Sequence, residues 1–208
     1  EIYTRLYTLS LHDALPFYTQ NQNASKVDIF QTRQLVHDVQ LAADGSAEVT
    51  QTATVTNNAP AEGGSPLNDR IGYTTRWAFH WNITLLPEAA EDIQQTIEAE
   101  EVKRDDKVYT DVDGRQAVRI GGWIPPGGHS TITVTYRLPA GTFGTDGNLA
   151  YRASVEHQLL VNDVALTVDV TGPSQPTPTE GNWTVDGNAA TTQFPVTAPT
   201  TIGVRFGR

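Results

Sequence analysis

The chain has no cysteine and no methionine. Without cysteine there is no disulfide framework, thiol nucleophile or thiolate-bound zinc. With no initiator residue, the chain is expected to be a fragment or a processed product. Basic residues are scarce: 14 Lys and Arg stand against 24 Asp and Glu, a net charge of −10. Nucleic-acid binders need a clustered basic face, and anionic lipid attracts basic segments, so neither is an expected partner. No apolar run approaches the roughly 18–20 residues of a membrane-spanning helix, so no membrane insertion is expected of this segment. The 208 residues still suffice for one domain, or two small ones, with a real core.

What the chain does contain is alternation. From Val27 onward apolar and polar residues mostly take turns, the period of a half-buried strand. Leu35, Val39 and Leu41 share a side with His37, and Val49, Ala53 and Val55 lie opposite a row of Thr50, Thr52, Thr54 and Thr56. Trp77, Phe79, Trp81, Ile83 and Leu85 make the heaviest apolar face and are expected in the core. Further alternating runs are Val118 with Ile120, Ile132 to Leu138, Tyr151 to Val161, Leu166 to Val170, Trp183 with Val185, and Ile202 to Phe206. Asp-Gly pairs at 44–45, 113–114, 146–147 and 186–187 fall between such runs, and glycine there accepts the positive φ of a tight hairpin. Thr and Val are abundant, and β-branched residues favour strands. Residues 88–107 fit either element: Ile93 and Ile97 have helical spacing, whereas Ile93, Gln95, Ile97 and Ala99 alternate. A Glu-rich edge strand over about 93–101 is preferred, because charge discourages edge-to-edge pairing.

These signals predict an all-β protein, an immunoglobulin-like antiparallel β-sandwich followed by a smaller packed β-unit. Residues 25–139 have the size of such a sandwich, and residues 140–208 are too short to hold a core of their own and should pack on it. The Pro-rich segment 172–182 is expected to be a loop that runs over the surface. Residues 1–24 are expected to be a non-native or disordered leader.

Candidate chemistry is thin. The five histidines (12, 37, 80, 129 and 157) lack any spacing that brings two ligands onto one element, and buried or half-buried hydrogen-bonded roles are expected for His37 and His157. The run Asp105, Asp106, Asp111, Asp113, Gly114 lacks the ligand ladder of a calcium loop and reads as a solvated edge with a hairpin. GGWIPPGG (121–128) is glycine-rich, but its prolines remove the N–H donors a phosphate cradle uses, so it reads as a turn. The acid–histidine neighbours Glu156–His157 and His37–Asp38 point to opposite faces of a strand. No catalytic, metal or cofactor residue is therefore assigned. Trp123 and Trp183 lie beside turns and are the candidate exposed rings for stacking a ligand such as a sugar. The Asn-x-Ser/Thr sequons at Asn23, Asn82 and Asn182 are of a kind that arises by chance in a Thr-rich chain.

Two resemblances add to this. The string TLSLHDALP, within residues 1–17, resembles translated sequencing-adapter read-through from assembled environmental DNA. Residues 25–60, 122–139 and 151–173 resemble the C-terminal region of a bacterial family of envelope proteins, domain of unknown function 4012. Lys26, Asp28, Phe30, Arg33, Asp44, Gly45, Asn57, Ala59, Pro60, Pro125, Pro126, Gly127, Tyr136 and Pro139 occupy the positions of that family's pattern, while 61–121 follows it only in outline. The resemblance implies an extracytoplasmic, envelope-located region whose N-terminal membrane helix and main domain lie outside this segment. It supplies no reaction and no catalytic residues. The expected role is a non-catalytic spacer or interaction module, with cell-wall glycan or envelope proteins as partners. A carbohydrate-binding or adhesive module, and an accessory domain of an enzyme, are the alternatives.

Overall fold

A computed structural model of the chain describes residues 13–15, 17–22, 25–61, 70, 73–110 and 116–207, with side chains described except for 13–17 and 103–110. The chain runs through β1 (Asp13–Leu15) and β2 (Phe17–Asn21), a 3-10 turn (Val27–Phe30), then β3 (Gln31–Leu41) and β4 (Ala47–Asn57). It continues through β5 (Ala78–Leu85), β6 (Glu91–Glu98), β7 (Glu101–Thr110), β8 (Gln116–Ile124) and β9 (His129–Leu138). The last part holds β10 (Gly144–Thr145), β11 (Asn148–Val155), β12 (Val164–Thr171) and β13 (Pro176–Glu180), then β14 (Thr184–Asp186), β15 (Ala189–Val196) and β16 (Thr200–Phe206).

The strands form a sandwich of three sheets. A seven-stranded sheet has the order β14-β15-β12-β3-β4-β9-β6, a four-stranded sheet β2-β5-β8-β7, and a five-stranded sheet β1-β11-β16-β13 with β10 on β11. Most neighbours are antiparallel, as the hairpin signals predict, but β3 pairs with β12 and β1 with β11 in parallel. The expected alternation holds on the long hairpin: Gln31, Arg33, Leu35, His37, Val39 and Leu41 of β3 are all buried, and so are the odd positions of β4. Thr50, Thr52, Thr54 and Thr56 take the outer side, opposite Thr135, Thr133, Thr131 and His129 of β9.

One apolar cluster draws on all three sheets. It includes Leu35, Ile132 and Val168 of the seven-stranded sheet, Tyr151, Val204 and Phe206 of the five-stranded sheet, and Val118 and Ile120 of the four-stranded sheet. A smaller cluster gathers Val27, Val55, Ala59, Ala78 and Ile124 at the β3 entry. Burial of this apolar surface is the main force holding the sheets face to face.

Two sequence expectations are corrected, and the edge strand expected over about 93–101 is found as β6 with a second strand after it. The division at 139–140 is crossed by a continuous sheet, because β12 and β15 extend the seven-stranded sheet beyond β3 and share its core. A segment too short for its own core is most stable when it completes a sheet already present. Residues 13–15 and 17–21, expected in a leader, pair with β11 and β5, where they cover backbone groups of those strands. Residues 88–107 form two strands, β6 and β7, which lie in different sheets although only Ala99 and Glu100 separate them. Asp105 and Asp106 sit at a register shift in β7, while Asp111, Asp113 and Gly114 lie outside the described residues.

The Asp44-Gly45 hairpin ties the cluster to the glycine-rich turn after β9. The Asp44 carboxylate accepts from the Ser46 hydroxyl and amide at 2.7 and 3.0 Å, which holds its pKa below the usual carboxylate value. Gly45 has φ 78°, and a Cβ there would lie 2.0 Å from the Gly144 carbonyl oxygen. Gly147 has a similar φ of 75° but open space around it. Gly147→Ala should therefore cost only the backbone strain, about 1 kcal/mol, whereas Gly45→Ala should cost about 3 kcal/mol because the docked turn must also move. Denaturant melts of the two variants check the difference.

Candidate functional site

The inner face of the four-stranded sheet carries buried polar side chains on β5 beside apolar ones on β8. Along β5 the even positions Ala78, His80, Asn82 and Thr84 are buried toward the seven-stranded sheet, and β8 sets Gly122, Ile120 and Val118 beside the last three. They meet the Gln31–Arg33 end of β3. The Arg33 guanidinium donates from Nε to Thr19 Oγ1 of β2 at 2.8 Å, and from Nη2 to Gln31 Oε1 at 2.7 Å and Asp28 Oδ1 at 3.3 Å. Asn21 donates to the other Asp28 oxygen at 2.9 Å.

This network fixes a tautomer. Arginine only donates, so Gln31 presents its oxygen to Arg33 and its amide nitrogen to His80 Nε2. His80 therefore accepts at Nε2 and carries its proton on Nδ1, which has no partner among the described residues. Burial, with the Arg33 charge acting in the same direction, lowers the His80 pKa to about 3. Burial also lowers the Arg33 pKa, against the opposing effect of Asp28. A neutral imidazole beside a buried arginine, with no carboxylate against it, has no orienting acid of the kind a general base uses. What the arrangement does is join β2, β3 and β5 across two sheets.

The outer face carries the aromatics. Phe79 pairs with Trp123 across β5 and β8, their ring centroids 4.9 Å apart, and Trp81 lies opposite Gly121. A Cβ on Gly121 would fall 2.8 Å from the Trp81 ring, so the glycine makes room for the indole. Arg119 lies 4.8 Å over Trp81, and Arg70 lies 4.6 Å over Trp77 and 5.9 Å over Trp123. The expected assignment is thus reversed in part. Trp77 and Trp81, expected in the core, are half-buried on the outer side, while Trp123, a candidate exposed ring, is only 8% exposed. Trp183 follows β13, half-buried against the core, and its Nε1 donates to the Glu180 carbonyl at 2.7 Å. Trp123 is on β8 of the four-stranded sheet, whereas Trp183 lies in the β13–β14 connection, so the two are not brought together on one strand face.

His37 is buried, 6.3 Å from the Tyr151 ring, and His157 is half-buried, both within the expected range, although His157 lies in the loop after β11 rather than on a strand. His12 lies outside the described residues, as does Asn23; Asn82 is buried. Spacing along the chain does not reveal the polar cluster around His80. Continuing the β3 parity backward from Leu35 would have placed Arg33 and Gln31 inside. Among the described residues no group of three or more His, Asp or Glu could hold a metal, and no helix is long and apolar enough to cross a membrane.

No protein-family model and no curated protein matches the chain. Among solved structures, a candidate nutrient-binding protein of Legionella pneumophila has a TM-score of 0.50 at 10% identity, covering 89% of this chain and 72% of that one. At that identity the likeness is one of fold. Yeast LTA4 hydrolase has a TM-score of 0.37 at 8% identity and covers 86% of this chain, which spans 29% of the hydrolase. A candidate protease of Parabacteroides distasonis has a TM-score of 0.32 at 11% identity, with 84% and 40% covered.

The depressed His80 pKa makes stability depend on pH. The unfolded histidine binds a proton near its ordinary pKa of 6.5, and the folded one only near 3, so the His80 contribution is complete above pH 6.5 and is lost as pH falls toward 3. At pH 4 the loss should be about 3 kcal/mol. His80→Gln cannot titrate there, so its stability should fall less between pH 7 and pH 4, as read by denaturant melts at both values.

Proposed function

We propose that the chain is a non-catalytic β-sandwich appendage, a spacer or interaction module, of a membrane-anchored bacterial envelope protein. The observation that carries this is the use made of its reactive groups. Arg33, Asp28, Gln31 and His80, the charged and polar groups that could serve chemistry, are committed to holding two sheets together. The pattern positions that resemble the envelope family play structural parts too. Asp28 pairs with Arg33, Asp44 and Gly45 make the docked hairpin, and the Asn57 amide bridges the Arg76 and Ile124 carbonyls at 2.7 and 3.1 Å.

A sugar platform needs an indole with an open face. Here Trp77, Trp81 and Trp123 each have a guanidinium over the ring, which supports the spacer over the carbohydrate-binding module. An extracytoplasmic location is part of the proposal and rests on the motif order, with an acidic, cysteine-free composition compatible with it.

The test pairs purified cell-wall sacculi and soluble oligosaccharides with a panel of hydrolase substrates. The expected outcome is no saturable retention and no turnover. Retention tighter than about 100 μM that is lost in Arg119→Ala or Trp183→Ala, or turnover lost in His157→Ala, would replace the appendage with a binding or enzymatic module.

A further inference from the structure

We propose that the β11–β12 connection, Glu156–Asp163, and the 3-10 turn before β3 form a rigid docking tip for a partner protein that offers an apolar groove rimmed by Lys or Arg. Six large hydrophobic side chains are exposed among the described residues, and three of them lie on these two segments, which Asn162 joins: Leu159 at 89%, Val161 at 64% and Ile29 at 55%. Single exposed aliphatics are ordinary on a protein surface, but three on two hydrogen-bonded segments are a patch.

The connection is pinned near both ends. Gln158 accepts from the Thr19 amide at 3.0 Å and donates to the Thr19 carbonyl at 2.9 Å, which adds its side chain to the edge of β2. Asn162 donates to the Gln31 carbonyl at 2.8 Å, beside Ile29. Thr19 is also the hydroxyl that Arg33 holds, so the tip stands on the buried inter-sheet cluster. A loop with no such anchors would lose freedom on binding; one already ordered binds with less entropic opposition. Between the anchors, Leu159 and Val161 point to water while Leu160 is half-buried.

Charge selects the occupant. Glu156 and Asp163 bracket the tip within a chain of net charge −10. That balance repels a second copy and an anionic membrane surface, and it attracts a basic rim. The proposal names the contact surface of the interaction module proposed above and rests on that reading.

Random peptides displayed on phage are the probe, selected on the full chain and then synthesised for fluorescence anisotropy. Recovered peptides should combine aliphatic or aromatic residues with Lys or Arg and bind with micromolar Kd. Affinity should fall at least tenfold in Leu159→Asp/Val161→Asp and several-fold between 50 and 300 mM salt, with unchanged melting curves because both side chains are exposed. Leu159→Ser serves if the double variant does not fold. Failure to enrich peptides, equal binding by the variants, insertion into phosphatidylcholine or phosphatidylglycerol vesicles, or self-association lost in the variants would each overturn the docking tip. None of these outcomes bears on turnover or glycan retention, so the tip can fail while the non-catalytic appendage stands.

Discussion

The buried guanidinium of Arg33 is the constraint around which this sandwich is arranged. A charge withdrawn from water between two sheets is costly unless partners surround it, and here Thr19, Gln31 and Asp28 reach it from β2, β3 and the preceding turn. Those partners fix more than the arginine. Gln31, once its oxygen faces Arg33, must turn its amide to His80, while burial, with the Arg33 charge acting in the same direction, keeps His80 neutral. Hydrogen bonds of defined direction thus determine how the four-stranded sheet sits on the seven-stranded one at this end. Apolar contacts alone, which are non-directional, would specify that registration less sharply.

The same constraint accounts for the outer aromatic face. Since β5 must turn His80, Asn82 and Thr84 inward, strand alternation sends Phe79, Trp81 and Ile83 outward. Large rings on an outer sheet face would be exposed apolar surface. Gly121 gives the Trp81 ring a place to lie flat, and arginines lie over the indoles with their charge toward water. The four-stranded sheet is accordingly stabilised on both faces, by polar directionality within and by cation–π stacking without.

Much of the architecture was legible along the chain because strand periodicity is local. The β3–β4 hairpin, the Asp-Gly turns at 44–45, 146–147 and 186–187, and the inward parity of Leu35, His37 and Val39 follow from alternation and from glycine's freedom at positive φ. The strand character of 93–98 was readable for the same reason, though the passage to another sheet at Ala99–Glu100 was not. A two-residue change of sheet leaves no mark in periodicity, since both strands alternate.

Sequence by itself therefore determined that this protein is all-β, where its tight turns fall, and which residues of each strand share a face. Tertiary structure alone decided which of the two faces of β5 is inside. Alternation is symmetric, so the Trp77–Phe79–Trp81 row and the His80–Asn82–Thr84 row of one segment were equally regular. The choice was made by Arg33 and Gln31, about fifty positions earlier in the chain, whose need for partners only a folded neighbour strand could meet. Joining residues 140–208 to the first sheet was likewise non-local, because the parallel pairing of β12 with β3 closes over a long stretch of chain that no local signal spans.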